Sequence, residues 1–147
     1  MEMNGSHFIP ADRETVWREL NNPATLSACI PGCKELEMQS DTEMTATVVA
    51  KIGPVKATFK GEVKLEDLNP PASYTIVGEG KGGIAGFAKG GAKVQLLEVD
   101  GGTQLEYQVD AKVGGKIAQL GSRLIDSVAK KLANAFFTDF SKMVGTK

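Results

Sequence analysis

Residue types that commonly carry out catalysis are few in this sequence. His7 is the only histidine and lies in a predicted strand, where a structural or exposed role is more usual than a catalytic one. Glu35 and Glu37 are two residues apart on another predicted strand and share a face, as an acid–base pair would. Nothing in the sequence pairs with them, which favours a solvated face. We therefore expect no catalytic residue and no enzymatic activity.

Two cysteines are the remaining candidates for a reactive or metal-binding role. Cys29 and Cys33 flank Pro31 and Gly32, and a structural zinc site needs a full set of Cys or His ligands. With one histidine in the chain this set is incomplete, so we predict no metal site. Two reduced, partly buried thiols are the favoured interpretation, and a thiol exposed at a cavity mouth is the alternative.

A glycine-rich segment matches the pattern of a nucleotide-binding motif. Residues 78–83 read GEGKGG, which fits the GxGxxG pattern of dinucleotide-binding proteins. That site requires a helix directly after the glycines, whereas strand-like residues follow here, so we discount it. Dense glycine within strands instead indicates bulges, curvature or the close approach of a ligand. We expect Ile84 and Phe87 to lie on a flexible hairpin that covers a cavity mouth.

The composition is typical of a single globular domain covering residues 1–147. Hydrophobic residues make up 41% of the chain and charged residues 24%. A net charge of −1 without a basic arm argues against nucleic-acid binding. No apolar run approaches a membrane-spanning length, and the N-terminus has no basic region followed by an apolar stretch. We therefore expect a cytoplasmic protein without a signal peptide.

Alternation of apolar and polar residues predicts the strands. It is clearest over residues 44–52 and 55–65, with a Gly53-Pro54 turn between them. One apolar and one polar face indicate an antiparallel sheet with water on its outer side. Small residues recur on the apolar face: Ala46, Ala50, Ala57, Gly61, Ala88, Ala92 and Ala111. They leave volume that is either filled by other side chains, as is general in proteins, or kept as a pocket.

Two short helices are predicted after the first strand. Asp12 is a typical cap for a helix over residues 13–20. Asn22 and Pro23 then begin another helix that ends near Ala28.

A long helix is predicted at the end of the chain. Apolar residues recur at helical spacing over residues 116–142 without a proline, which predicts one uninterrupted helix of about 40 Å. The fold class is therefore α+β, with a curved antiparallel sheet of about six to seven strands around a long C-terminal helix.

The last turns of this helix carry an apolar tip. The residues concerned are Phe136, Phe137, Phe140 and Val144. Basic residues lie behind them on the helix, so the tip is a candidate for contact with a membrane surface or a partner protein. Fraying, or packing beneath the first strand, is an equally good interpretation.

Four segments are jointly more specific than any one of them. Residues 28–33 read ACIPGC and residues 50–61 read AKIGPVKATFKG, and the others are 78–90 and 113–125. Together they resemble the CoxG family of carbon monoxide dehydrogenase over nearly the whole chain. The resemblance implies the helix-grip fold of START-like and Bet v 1-like lipid-binding proteins. It also favours a real apolar cavity over a filled one.

The resemblance further implies an accessory role beside a molybdenum hydroxylase of the carbon monoxide dehydrogenase type. It implies attachment of that enzyme to the cytoplasmic membrane, hence a peripheral membrane contact, and a link to the quinone pool. We therefore predict that the cavity binds an apolar small molecule, a quinone or a lipid, without a required cofactor. The predicted lining residues are Trp17, Phe59, Tyr74, Tyr107, Val109, Leu120, Leu124 and Val128. The predicted mouth residues are Ile30, Ile84 and Phe87.

Two other functions remain open. Some helix-grip proteins are cyclases or hydrolases, although the scarcity of histidine and of a paired base counts against an enzyme here. An assembly factor with a filled core would act through its surface instead. A filled core predicts that Ala57→Leu or Ala92→Leu overpacks the interior and destabilises the protein by about 1–3 kcal/mol.

Overall fold

The structure, a computed structural model describing residues 1–145, contains one antiparallel sheet and three α-helices. The strands are β1 (Glu2–Ile9), β2 (Cys33–Met38), β3 (Glu43–Ile52), β4 (Val55–Asn69), β5 (Ser73–Lys81), β6 (Phe87–Val99) and β7 (Gly102–Gly114). The helices are α1 (Arg13–Leu20), α2 (Pro23–Cys29) and α3 (Ser122–Val144). Short 3-10 helices occupy Gly83–Ala85 and Lys116–Leu120. These elements confirm the predicted α+β class.

The strands form a sheet in the order β1-β7-β6-β5-β4-β3-β2. Strands β2 to β7 follow one another as antiparallel neighbours, because each alternating segment is separated from the next by a short turn. β1 pairs with β7, so that Met3 lies opposite Val109 and Ile9 opposite Thr103. The first strand therefore closes the edge of the sheet beside the last one.

The two short helices begin where the sequence supplies caps. The carboxylate of Asp12 accepts a hydrogen bond from the backbone N–H of Thr15 at 2.7 Å. The side chain of Asn22 accepts one from Ala24 at 3.0 Å, and Pro23 occupies the first turn of α2. Both helices confirm the prediction and pack against each other and against α3.

The long helix is shorter than predicted at its N-terminal end. Lys116–Leu120 is a separate 3-10 helix, and Gly121, with a φ of 95°, precedes the start of α3. The prediction of one uninterrupted helix is wrong here, because this left-handed conformation does not continue an α-helix. The 23 residues of α3 still span about 34 Å. None of the helices in the described part of the chain is long and apolar enough to cross a membrane.

The packed core lies at one end of the molecule. Its fully buried side chains are Ile9, Val16, Cys29, Leu96, Thr103, Leu105, Phe140 and Val144. The hydroxyl of Thr103 donates to the carbonyl of Ala11 at 2.8 Å and so ties β7 to the chain entering α1. Most inward-facing residues at the other end, where α3 begins, are only half-buried. The sheet and α3 are therefore packed tightly at one end and loosely at the other.

Candidate functional site

Glycine and alanine line the middle of the inner face of the sheet. Cross-strand pairing places Ala46 opposite Gly61, Gly61 opposite Gly80, and Gly80 opposite Ala88. The neighbouring inward positions continue the pattern. The small-residue floor is defined as Ala46, Gly61, Gly78, Gly80, Ala88, Gly90 and Ala111. Because side chains alternate between the faces of a sheet, the residues between them, such as Lys60, point outward.

The space above this floor is open. A Cβ atom placed on Gly80 would have no heavy atom of the described residues within 4 Å, apart from its chain neighbours. At Gly61 and Gly78 the nearest atoms would be 3.8 and 3.5 Å away and would belong to adjacent strands. In a close-packed interior such positions would contact side chains of the opposite layer. A cavity therefore lies between the floor and α3.

The N-terminal half of α3 covers the cavity without being buried itself. Leu124 and Val128 are half-buried and Leu132 is 39% exposed, whereas Phe140 has no exposed area. A Cβ on Gly53 would lie 2.6 Å from Leu124, so α3 rests on the turn between β3 and β4. The helix is thus held at this turn and at the core, with accessible apolar side chains between the two.

The loop between β5 and β6 forms one side of the cavity mouth. Its first residues pack against the ring of Phe59, an inward residue of β4. Ala85 is buried, and Gly86, with a φ of 115°, approaches the backbone of Gly114 so closely that a side chain would clash. Between these anchors, the side chain of Ile84 is 92% exposed. The loop therefore presents one aliphatic side chain to solvent.

Aromatic rings of β1, β7 and α3 stack at the packed end of the inner face. The ring of Phe137 lies 4.3 Å from that of His7 and 5.6 Å from that of Tyr107. Burial lowers the pKa of His7, so its imidazole is neutral at pH 7. Burial raises the pKa of Tyr107 and of Tyr74, so both hydroxyls keep their protons and are hydrogen-bond donors.

The eight predicted lining residues fall into two groups. Those half-buried around the open half of the inner face are Phe59, Leu120, Leu124 and Val128. Those in or against the packed core are Trp17, Tyr74, Tyr107 and Val109. Tyr74 is 5% exposed, and its ring meets that of Trp17 edge-on at 5.1 Å. The first group lines the cavity, and contact of either group with a ligand stays a prediction.

The three predicted mouth residues are not brought together. Ile84 and Phe87 lie on the β5–β6 loop, and the ring of Phe87 packs over Gly114. Ile30 is half-buried at the end of α2, where its N–H donates to the carbonyl of Leu26. The loop therefore supplies two of the three residues.

The apolar tip predicted on α3 is part of the core. Phe140 and Val144 are 0% and 1% exposed, so the prediction that they contact a membrane or partner is wrong. The half-buried Phe137 stacks on His7, and Phe136 stacks on Phe140 at 5.6 Å. Packing beneath the first strand is the correct interpretation, because these rings bury apolar area against β1.

Sequence analysis did not place three residues of the floor. Gly78, Gly80 and Gly90 were assigned to curvature or a hairpin, although they occupy alternate strand positions. Their shared face follows only from the register, which sets them beside Gly61 and Ala88. Alternating glycines on adjacent strands were the available signal.

The buried carboxylate of Glu19 has a structural role. It is 3% exposed and accepts hydrogen bonds from the hydroxyl of Thr25 at 3.0 Å and the amide of Asn22 at 3.3 Å. Both partners lie at or after the end of α1, so the carboxylate joins α1 to α2. A buried charge with this set of donors is stabilised in place rather than poised for proton transfer.

The other titratable candidates are also separate from the cavity floor. Glu35 and Glu37 are exposed, in agreement with the predicted solvated face. Cys29 is buried and Cys33 half-buried, and both are free, in agreement with reduced thiols. Among residues 1–145, no group of three or more His, Cys, Asp and Glu side chains is placed to hold a metal ion.

The outer face of the sheet carries only polar depressions in the region described. One of about 430 Å³ is lined by charged residues that include Glu37, Lys60 and Lys81. Another of about 620 Å³ includes Lys93 and Glu106. An apolar ligand there would displace water from charged groups without gaining an apolar enclosure. The inner cavity is therefore the better candidate site.

Solved structures share this fold. A conserved protein from Geobacillus kaustophilus is 35% identical with a TM-score of 0.93, over 99% of this chain and 96% of that one. Ara h 8.0201 is 16% identical with a TM-score of 0.69, over 100% and 99%. The Zhui aromatase/cyclase from Streptomyces sp. R1128 is 10% identical with a TM-score of 0.68, over 98% and 93%. These last two show the helix-grip, Bet v 1-like fold alone.

The family comparison covers nearly the whole chain. No curated protein matches the sequence significantly. The CoxG family, described as a subunit of carbon monoxide dehydrogenase, matches residues 5–145, which include the floor, the β5–β6 loop and α3. The chain therefore belongs to the CoxG family of carbon monoxide dehydrogenase.

Proposed function

We propose that the protein binds an apolar small molecule in the cavity between the small-residue floor and α3. The observation that carries this proposal is the open space at Gly80, in a fold whose other end is tightly packed. An empty apolar space forfeits the dispersion contacts that its lining atoms would otherwise make. A ligand restores those contacts, and family membership supports an accessory rather than an enzymatic role.

The chemistry of the walls favours a quinone or a lipid. Phe59, Leu124 and Val128 offer apolar surface to a hydrocarbon tail along the floor. Transfer of such a tail from water contributes about 0.8 kcal/mol per buried methylene. At the inner end, Tyr107 keeps its hydroxyl proton because burial raises its pKa, and that hydroxyl is a donor for a ligand carbonyl.

The proposed partner is a molybdenum hydroxylase of the carbon monoxide dehydrogenase type, in the cytoplasm. The family name supports this pairing. A pull-down with purified carbon monoxide dehydrogenase tests it, with a helix-grip protein from outside the family as control. Selective retention of the present protein is the expected result, and equal retention of both would contradict the pairing.

The ligand is tested by purifying the protein without detergent and measuring its mass under native conditions. Solvent extraction then identifies any bound molecule. Gly80→Leu places a side chain in the open space, at a backbone conformation that accepts one, and should abolish binding without loss of stability. The control is Thr58→Leu, which adds leucine on the exposed outer face of β4 and should retain the ligand.

Three results would contradict the proposal. The first is equal ligand content in Gly80→Leu and Thr58→Leu. The second is a wild-type protein that is empty and ignores added menaquinone and ubiquinone, which would favour an assembly factor acting through its surface. The third is chemical conversion of a bound molecule, which would favour a cyclase-like or hydrolase-like enzyme.

A further inference from the structure

Basic residues are concentrated around the cavity mouth. The segments there are residues 46–61 around the β3–β4 turn, 80–91 around the β5–β6 loop, and 111–125 leading into α3. They contain eight of the chain's 17 Lys and Arg residues and none of its 18 Asp and Glu residues. The rest of the chain holds nine cations against 18 acidic residues. The protein is nearly neutral overall, but its mouth end is positive.

The sheet holds these cations in unfavourable pairs. Three lysine pairs face each other directly across neighbouring strands: Lys51–Lys56, Lys60–Lys81 and Lys89–Lys112. Like charges in this position repel each other, whereas Glu43 and Lys64 further along the sheet form an opposite-charge pair at 4.0 Å. All eight mouth cations are exposed, and within residues 1–145 only Lys81 has an ion pair, with Glu79 at 3.7 Å. An anionic surface would relieve this repulsion.

An exposed aliphatic side chain stands among these lysines. Ile84 is 92% exposed, the largest exposed fraction of the large apolar side chains described. It lies between Lys81 and Lys89 in sequence, at the tip of a loop anchored by Ala85. Cationic side chains around a projecting apolar one are the combination that binds the interface of an anionic membrane.

We propose that the mouth end docks on an anionic phospholipid bilayer, with Ile84 inserted at the interface and the lysines facing the lipid headgroups. This docking rests on the proposed function, since it places the cavity mouth against the phase in which an apolar ligand is dissolved. The acidic remainder of the chain is repelled by the same surface, which fixes the orientation.

A bilayer fits this end better than an acidic protein surface does. The side chain of Ile84 is almost wholly exposed, so no surrounding rim of apolar residues forms the buried centre that a protein interface has. A fluid lipid interface adapts to one projecting side chain and needs no such rim. Contact with lipid also requires no matching set of fixed carboxylates.

The docking is tested by sedimentation with vesicles. Vesicles of equal parts phosphatidylglycerol and phosphatidylcholine should bind the protein at about 0.1 M salt and release it at about 1 M, where charges are strongly screened. Vesicles of phosphatidylcholine alone should not bind it. The double variant Lys51→Glu with Lys56→Glu keeps a like-charge pair and should lower the affinity by at least about tenfold. The control is Lys93→Glu with Lys142→Glu, which has the same charge change at exposed sites outside the mouth.

Ile84 is tested separately from the charges. Ile84→Ser should lower the affinity for anionic vesicles by about tenfold and leave the salt dependence unchanged. Ile84→Leu should bind as the wild type does, because the inserted apolar area is conserved.

Several results would overturn the docking. They are salt-independent binding to phosphatidylcholine, equal loss of affinity in the two double variants, and retention on immobilised polyglutamate without binding to anionic vesicles. The two proposals fail independently of each other. A protein that carries a ligand but ignores vesicles refutes only the docking, and one that binds vesicles but no ligand refutes only the cavity function.

Discussion

At the scale of single residues, His7 makes stability depend on pH. Its ring stacks 4.3 Å from Phe137, and burial lowers its pKa. In the unfolded chain the imidazole titrates near about 6.5, so below that pH the unfolded state binds more protons than the folded state. The contribution of His7 to stability is therefore complete above this pH and is lost as the pH falls towards its lower folded pKa.

This effect is measurable by thermal unfolding. Between about pH 7.5 and about pH 5.5, the midpoint of the wild type should fall by more than that of His7→Gln. Ser6→Ala, at the outward-facing neighbouring position of β1, should behave as the wild type does. An identical pH dependence of His7→Gln and wild type would contradict the assignment.

At the scale of elements, the start of α3 depends on the backbone of Gly121. Its φ of 95° strains any other residue, so Gly121→Ala should destabilise the protein by about 1–2 kcal/mol. Gly80→Ala is the matched control, since both positions have open space but Gly80 has no positive φ. It should be neutral or stabilising by up to about 1 kcal/mol. Urea unfolding of both variants measures this difference, and equal effects would contradict it.

Local signals explain which elements were predictable. The strands follow from alternation, and α1 and α2 from the caps Asp12 and Asn22, because these patterns act over a few residues. The break at Gly121 was missed because the helical spacing of apolar residues continues across it. Phe140 and Val144 were misplaced because their burial depends on β1, more than a hundred residues away in sequence.

At the scale of the whole molecule, the two ends should differ in local stability. Ile9, Leu105 and Phe140 are fully buried at one end, whereas Leu124 and Val128 are half-buried over the cavity. Regions with few buried apolar contacts open more readily than the core. Amide hydrogen exchange measured by mass spectrometry should therefore be slow in β1 and β7 and faster in the first turns of α3.

Ligand binding should remove part of this difference. Added menaquinone, as the probe, should slow exchange at the start of α3 and in the β3–β4 turn, because it fills the space between them. The Gly80→Leu variant should show no such slowing. Uniform protection of the wild type without ligand would contradict the division into a packed and an open end.

The sequence by itself determined the α+β class, nearly every element and the supply of small inward residues, because these follow from periodicity, caps and residue size. Tertiary structure decided where the volume is. The register sets Gly61, Gly80 and Ala88 side by side, and the packing of α3 fills one end of the inner face and leaves the other open. It also gathers the lysines of three separate segments at one mouth. Contacts between distant segments set cavity and charge pattern, and no local pattern encodes such contacts.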